Sequence, residues 1–288
     1  MRGHLQGLLF LNFVTLLWGT TFVVVKDAVD VLHPSAITFA RFLVASLFFL
    51  PFLKGVSPRL WGVGLEMGFW LWAGYATQAI GLQYTSASRS AFITALNVIL
   101  VPVFMGLLGR RVNPVVWLSA GMAITGVGLL SNDGAPPNVG DLWTILCALT
   151  YAIYILRLEA HAKSFTALPL TAVQVLGVLP FAVLWMLWER PALAPETFPW
   201  ISIIYLGVIT TAATTWLQTL GQGRVTAPEA AIIYSLEPVW ASVFAFLWLN
   251  ERLGSQGLAG AMLAVMATLL AQWRPAMWTQ LRGGPKKP

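Results

Sequence analysis

The sequence is poor in the residues that soluble enzymes, metal sites and disulfide-stabilised proteins use. It contains one cysteine, three histidines and eleven acidic residues among 288. A single cysteine, Cys147, excludes a disulfide within the chain and a metal site built from cysteines. Charged residues make up 10% of the chain, whereas soluble domains carry about 25%. No phosphate-binding loop of the pattern G-x-x-x-x-G-K-S/T occurs. We therefore expect neither a cofactor nor a metal ion.

Apolar residues are correspondingly abundant, at 58% of the chain. A water-soluble fold of this size could not bury so much apolar surface, so the expected solvent is lipid. A membrane-spanning helix needs about 20 mainly apolar residues. The pattern predicts an all-α membrane protein with ten transmembrane helices. These are Leu5–Val25, Pro34–Leu53, Trp61–Leu82, Ala87–Leu108, Pro114–Ser131, Leu142–Leu158, Leu168–Trp188, Phe198–Leu220, Ala227–Leu249 and Leu258–Trp273.

Basic residues in the gaps between the runs predict the orientation in the membrane. The net charge is +6, and Lys and Arg are enriched in cytoplasmic loops of membrane proteins. Placing the N-terminus in the cytoplasm puts most basic residues there, including the pair Arg110 and Arg111, and puts the C-terminus there as well. The basic residues are explained by this orientation, so no nucleic-acid partner is expected. The expected partners are the lipid bilayer and a small-molecule substrate, and no obligate protein partner is indicated.

Two halves of the chain resemble each other weakly. Residues 81–96 align with residues 221–236, and Leu17–Gly19 lies opposite Thr150–Ala152. We predict a first five-helix repeat over residues 1–133, a second over 138–275, and a basic cytoplasmic tail over 276–288. Because five is an odd number, the two repeats must be inverted in the membrane. Inverted repeats are common in secondary transporters, which bind substrate near the midplane between the halves. The alternative is a duplicated structural bundle without transport.

Four short motifs carry a resemblance to a known family: Leu17–Phe22, Phe39–Leu43, Ser235–Val239 and Leu249–Leu253. In this order and spacing the chain resembles the drug/metabolite transporter superfamily, EamA type, and within it is most similar to the YddG amino-acid exporters. The resemblance implies export of small metabolites, amino acids or xenobiotics. We expect the chain in a bacterial inner membrane.

Two ionisable residues lie near the middle of predicted membrane helices. An ionisable residue there costs ~2.5–3.5 kcal/mol on insertion scales, so each needs a reason. Arg41 either bonds helix ends and acids to lock helices together, or lines a cavity and holds a carboxylate. Glu237 precedes Pro238, which removes a backbone donor and predicts a bend. Glu237 is either a gate or proton-responsive group, or an acid tied to the freed backbone.

Aromatic and amide side chains within the runs are the candidates for lining a substrate cavity. Such a site needs apolar walls and a few placed hydrogen-bonding groups. Glycine and proline within helices are candidate hinges, although small residues also serve close helix packing. The cavity candidates are Trp18, Tyr75, Gln78, Asn97, Tyr151, Tyr154, Trp216, Gln218, Tyr234 and Trp240, and the hinge candidates are Gly81, Pro102, Gly221 and Pro238.

These patterns favour a secondary transporter that works by alternating access through a central cavity between the repeats. A channel-like facilitator is the first alternative. A membrane-embedded enzyme is the second, and it would need paired acids, a metal cluster, or a nucleophile with a base. The predicted helices have no histidine at a membrane centre and no paired carboxylates, so we do not expect an enzyme.

Overall fold

A computed structural model of the chain describes residues 2–130, 136–192, 196, 198–249 and 254–272. The regular structure within these residues is helical, which confirms the predicted all-α class. A 3-10 turn, Leu50–Leu53, extends α3, and a π-helical turn, Val208–Ala213, joins α10 to α11. The helices are α1 (Arg2–Gly19), α2 (Thr21–Val29), α3 (Pro34–Phe49), α4 (Pro58–Tyr84), α5 (Ala87–Thr94), α6 (Asn97–Leu107), α7 (Pro114–Leu130), α8 (Val139–Ala162), α9 (Ala167–Glu189), α10 (Trp200–Gly207), α11 (Thr214–Gln222), α12 (Ala227–Tyr234), α13 (Glu237–Leu249) and α14 (Ser255–Gln272).

Several helical stretches are long and apolar enough to cross a bilayer. The described residues contain six of them, and two shorter apolar helices occur at Pro114–Leu129 and Ser255–Ala271. Large apolar side chains also cover the outer surface: Ile201 is 87% exposed and Trp188 is 85% exposed. The chain is an integral membrane protein. The six stretches are Gly3–Val29, Pro34–Leu53, Arg89–Leu107, Val139–Ala162, Ala167–Glu189 and Trp200–Gln222.

Three predicted runs that we expected to be continuous helices are interrupted. Turns separate α1 from α2 at Thr20, α5 from α6 at residues 95–96, and α12 from α13 at residues 235–236. At two of these turns a hydroxyl competes for the helix backbone. Thr20 Oγ1 donates to the Leu17 carbonyl at 2.7 Å, and Ser235 Oγ donates to the Ile232 carbonyl at 2.6 Å. The runs therefore carry turns in their middle rather than at their ends.

Small residues bring α4 and α9 into close contact. A Cβ built on Gly68 would lie 2.2 Å from the carbonyl carbon of Gly177. A Cβ built on Gly177 would lie 2.2 Å from the Gly64 oxygen. No side chain fits at these distances, so glycine is needed for the helices to approach this closely.

The main helix contacts join the part of the chain before residue 131 to the part after residue 135. Helix α4 packs on α8 and α9, and α1 packs on α11, α12 and α13. Helix α3 packs on α9 and α10, and α7 packs on α14. The largest buried apolar cluster lies where α3, α4, α8 and α9 meet and includes Phe42, Met67 and Leu170. The core is therefore shared between the two parts of the chain.

Candidate functional site

A cavity lies among α1, α2, α4, α5, α6, α8, α11, α12 and α13. Its volume is about 30 Å³, so it is narrow in this conformation. Eight of the ten cavity candidates line it, together with Glu237. The lining residues are Trp18, Thr21, Leu71, Tyr75, Gln78, Thr94, Asn97, Tyr151, Tyr154, Ile155, Gln218, Tyr234 and Glu237.

The three helix interruptions position almost half of this lining. On each side of an interruption, the helix end turns one polar or aromatic side chain toward the cavity. Interrupted helices are a known way to build polar sites inside membrane proteins. The flanking residues are Trp18 and Thr21 around Thr20, Thr94 and Asn97 around residues 95–96, and Tyr234 and Glu237 around residues 235–236.

Aromatic rings form much of the wall. The rings of Trp18 and Tyr234 lie 5.2 Å apart, centre to centre, and those of Tyr75 and Tyr151 lie 6.0 Å apart and nearly perpendicular. The Tyr154 hydroxyl donates to Gln174 Oε1 at 3.0 Å, which holds that ring in the cavity wall. Such pairs keep large apolar faces in fixed positions.

Several polar atoms in the wall lack a partner within the described protein. Trp18 Nε1, Thr21 Oγ1 and Asn97 Oδ1 are buried and make no hydrogen bond there. Thr21 and Asn97 are each only 5% exposed. A buried polar group without a partner costs about 1–3 kcal/mol, so these three atoms are available for a hydrogen bond with a ligand or a water molecule.

Arg41 lies outside the cavity lining, one layer behind Tyr75. Its guanidinium is centred 4.5 Å above the Tyr75 ring. Its Nε donates to Thr211 Oγ1 at 2.9 Å, and its Nη2 donates to Thr210 Oγ1 at 3.0 Å. These contacts tie α3 to the π-helical turn before α11. The geometry matches the helix-locking interpretation of Arg41 more closely than the carboxylate-binding one.

Two cavity candidates, Trp216 and Trp240, do not line the cavity. Trp216 is 40% exposed on the outer surface of α11. Trp240 packs against α1 instead, where a Cβ on Gly19 would lie 2.7 Å from the Trp240 Cβ. The sequence pattern could not separate these side chains from the others because helices in lipid are apolar on all sides.

Two of the four hinge candidates are glycines at close helix contacts, and the other two are prolines. Gly81 and Gly221 lie inside α4 and α11 at close helix contacts: a Cβ would lie 2.6 Å from Thr144 Oγ1 at the first and 2.5 Å from Leu11 Cδ2 at the second. Pro102 lies inside α6. The bend predicted in mid-helix at Pro238 is instead a break, since Pro238 is the second residue of α13, where a missing amide proton is tolerated.

Four lining residues were missed in the sequence: Thr21, Leu71, Thr94 and Ile155. A signal existed for Leu71 and Ile155, because each lies four residues from a candidate on the same helix. Thr21 and Thr94 lie across a turn from the nearest candidate, so helix spacing gave no signal for them. The motif residues 250–253 and the tail 276–288 lie outside the described residues.

The sequence profile of the EamA-like transporter family matches residues 5–132 and again residues 138–273. An uncharacterized transporter of Archaeoglobus fulgidus is 30% identical over 265 residues, covering 92% of this chain and 85% of the relative. A probable biotin transporter of Pseudomonas aeruginosa is 24% identical, covering 90% of this chain and 95% of the relative. A WAT1-related chloroplastic protein of Arabidopsis thaliana is also 24% identical, with 89% and 67% covered.

A solved crystal structure has the same fold, with a TM-score of 0.74 at 16% identity, covering 95% of this chain and 98% of that chain. The family profile and the sequence relatives define a helical membrane transport protein. The chain belongs to the EamA-like transporter family. The names of the family and of the Archaeoglobus and Pseudomonas relatives denote transporters rather than enzymes.

Proposed function

We propose that this chain is a secondary transporter that exports small metabolites, amino acids among them, across a bacterial inner membrane. Ten spans form two inverted halves, residues 1–133 and 138–275, with both termini in the cytoplasm. The halves move against each other so that the cavity opens to one side at a time. The observation that supports this proposal most directly is that residues at corresponding positions of the two halves line the cavity.

The proposed correspondence can be followed through the helix starts with two different offsets. Helices α5 and α12 begin 140 residues apart and each have eight residues, and α6 and α13 also begin 140 residues apart. Helices α3 and α9 begin 133 residues apart. When the offsets of 140 and 133 residues are applied to the residues that line the cavity, ten of these residues form five corresponding pairs. The pairs are Trp18 with Tyr151, Thr21 with Tyr154, Gln78 with Gln218, Thr94 with Tyr234, and Asn97 with Glu237.

Two further observations support the two-half arrangement. One family profile matches the chain twice, once in each half. The helix contacts also exchange under the same correspondence: α4 on α8 corresponds to α11 on α1, and α4 on α9 corresponds to α10 on α3. A cavity on the dividing surface of such halves is where secondary transporters bind substrate.

The narrow cavity favours a carrier over a channel-like facilitator. An open pore would have a continuous path wider than a water molecule, whereas this cavity has a volume of only about 30 Å³. A substrate of amino-acid size requires the walls to move apart, which is what alternating access provides.

The test is uptake by purified protein in liposomes, with a panel of labelled amino acids and other small metabolites and with or without a pH gradient. Saturable uptake is expected, as for a carrier. Trp18→Ala should lower its kcat/KM by about tenfold or more, because the ring forms part of the wall. Trp216→Ala is the matched control on the outer surface and should leave uptake unchanged. Flux that rises without saturation would indicate a channel, and no flux in any arm would overturn the proposal.

A further inference from the structure

The charge that the described residues place in the cavity wall is negative. Among the described residues that line it, Glu237 is the charged one. Within the residues that the structure describes, the Glu237 carboxylate has no ion pair with another side chain and no hydrogen bond to one. It is the first residue of α13, where the helix dipole favours a negative charge. A carboxylate at this position can bind a positively charged group of a ligand.

A second acceptor corresponds to Glu237 in the other half. Asn97 is the first residue of α6 and lies 140 residues before Glu237, and its Oδ1 is buried without a partner. An ammonium group carries three donors and no acceptor, so it needs several oxygen atoms of this kind. The carboxylate and the amide oxygen together supply acceptors from both halves.

Ring faces complete the surroundings. Trp18, Tyr75, Tyr151, Tyr154 and Tyr234 line the same cavity. Cations bind favourably over the faces of such rings, most strongly over tryptophan, and aromatic cages are used for substituted ammonium groups. The rings also offer an apolar surface to the rest of a ligand.

The described residues that line the cavity include no cation that could pair with a carboxylate. Arg41 lies behind Tyr75, with Nε and Nη2 donating to Thr211 and Thr210. The helix start at α6 is also occupied, because the Val98 amide donates to Ala95 and the Ile99 and Leu100 amides donate to Leu96. Among the described lining residues a substrate carboxylate would therefore find neutral donors, such as Trp18 Nε1, but no cation.

We propose that the cavity selects organic amines: ligands with a protonated amine on an aromatic or apolar body and without a free carboxylate. The amine binds between Glu237 and Asn97, and the body lies against the aromatic rings. This assignment rests on the proposed transporter function and narrows its substrate class, placing amines ahead of amino acids.

Tyramine and tyrosine make a direct test, because they differ only in the carboxylate. Equilibrium binding of each labelled compound to the purified protein avoids passive leakage of amines through a bilayer. We expect tyramine to bind at least about tenfold more tightly than tyrosine, the size of effect that charged hydrogen bonds produce. Glu237→Gln should weaken tyramine binding by at least about tenfold. The matched control Glu66→Gln removes a carboxylate that pairs with Arg157 away from the cavity and should leave binding unchanged.

Asn97→Asp provides an independent variant should Glu237→Gln fail to fold. A second carboxylate at the corresponding position should tighten tyramine binding by about tenfold. Tyrosine binding equal to tyramine binding, or tyramine binding insensitive to both substitutions, overturns the amine assignment.

The two proposals fail in different ways. Saturable, Glu237-independent liposome uptake of tyrosine, without tight tyramine binding, overturns the amine assignment and leaves the transporter function standing. Tight, Glu237-dependent tyramine binding without saturable uptake of any compound upholds the assignment of ligand chemistry and overturns the transporter function.

Discussion

Arg89 and Glu229 occupy corresponding positions, 140 residues apart near the starts of α5 and α12, with opposite charges. Each contacts the other half of the chain. Arg89 Nη2 donates to Asp141 Oδ2 at 2.8 Å, and Glu229 Oε1 lies 3.4 Å from His4 Nε2. The proposed inverted arrangement places the Arg89–Asp141 contact at the outer end of the cavity and the His4–Glu229 contact at the cytoplasmic end.

The Arg89–Asp141 pair should contribute measurably to stability. Arg89 Nε also donates to Asp141 Oδ1 at 2.9 Å, and the side chains are only 14% and 9% exposed. Removing one charge of a buried pair costs about 3 kcal/mol, because the attraction and the charged hydrogen bonds between the two side chains are lost. Asp141→Asn should therefore lower the thermal unfolding temperature in detergent by several degrees.

The matched control for that measurement is the Arg157–Glu66 pair, whose side chains are 45% and 34% exposed. Solvent screens such a pair, which contributes about 1 kcal/mol or less. Glu66→Gln should therefore shift the unfolding temperature much less than Asp141→Asn. Equal shifts would contradict the role given to burial.

The two end contacts should also bias access to the cavity in opposite directions. In a Cys147→Ser background, Thr94→Cys places a single thiol in the cavity wall. Weakening the outer contact with Asp141→Asn should increase labelling of that thiol by a membrane-impermeant reagent added outside. Weakening the cytoplasmic contact with Glu229→Gln should decrease it, because the two open forms compete for population.

Labelling that is the same in both variants would contradict alternating closure at these contacts. Tyr84, which is 56% exposed near the outer end of α4, gives a positive control. Tyr84→Cys should label equally in all backgrounds.

The helical class and the positions of the apolar runs could be predicted because lipid imposes both length and composition on a spanning helix. The interruptions at Thr20 and at residues 95–96 could not. Hydrophobicity continues through each of them, and the turns depend on hydroxyl and backbone contacts that composition does not record. The Pro238 signal was present, but it marked the start of a helix rather than a bend within one.

The cavity lining was partly predictable for a different reason. Gln78, Asn97 and Gln218 are amides in apolar runs, and such groups rarely face lipid because they would lack partners there. Tryptophan carries no such constraint, since its ring is at home in lipid as well as in the core. Trp18 and Trp216 therefore looked alike in the sequence, and the fold alone separated them.

Substitution of Gly81 distinguishes between two roles for the glycine hinge candidates, close helix packing and hinge motion. A Cβ there would lie 2.6 Å from Thr144 Oγ1, and overpacking of this kind costs about 1–3 kcal/mol. We expect Gly81→Ala to lower the unfolding temperature, as read from thermal unfolding in detergent. Gly121→Ala, where a Cβ meets nothing within 4 Å, is the control and should not. Slower uptake at unchanged stability would instead indicate a hinge.

Arg41 tests whether the charge behind the cavity holds helices or holds substrate. Its guanidinium donates hydrogen bonds to two threonine hydroxyls and also lies over the Tyr75 ring. A lysine ammonium cannot make both hydrogen bonds and the ring contact at once. Arg41→Lys should therefore lower the free energy of unfolding by about 2 kcal/mol, since hydrogen bonds to charged groups contribute about 1.5–3 kcal/mol. The affinity of the folded fraction for tyramine and for tyrosine should stay within about twofold of the parent, because the site acceptors are untouched. A selective loss of tyrosine binding would show that Arg41 reaches a substrate carboxylate, and the helix-locking role would then be wrong.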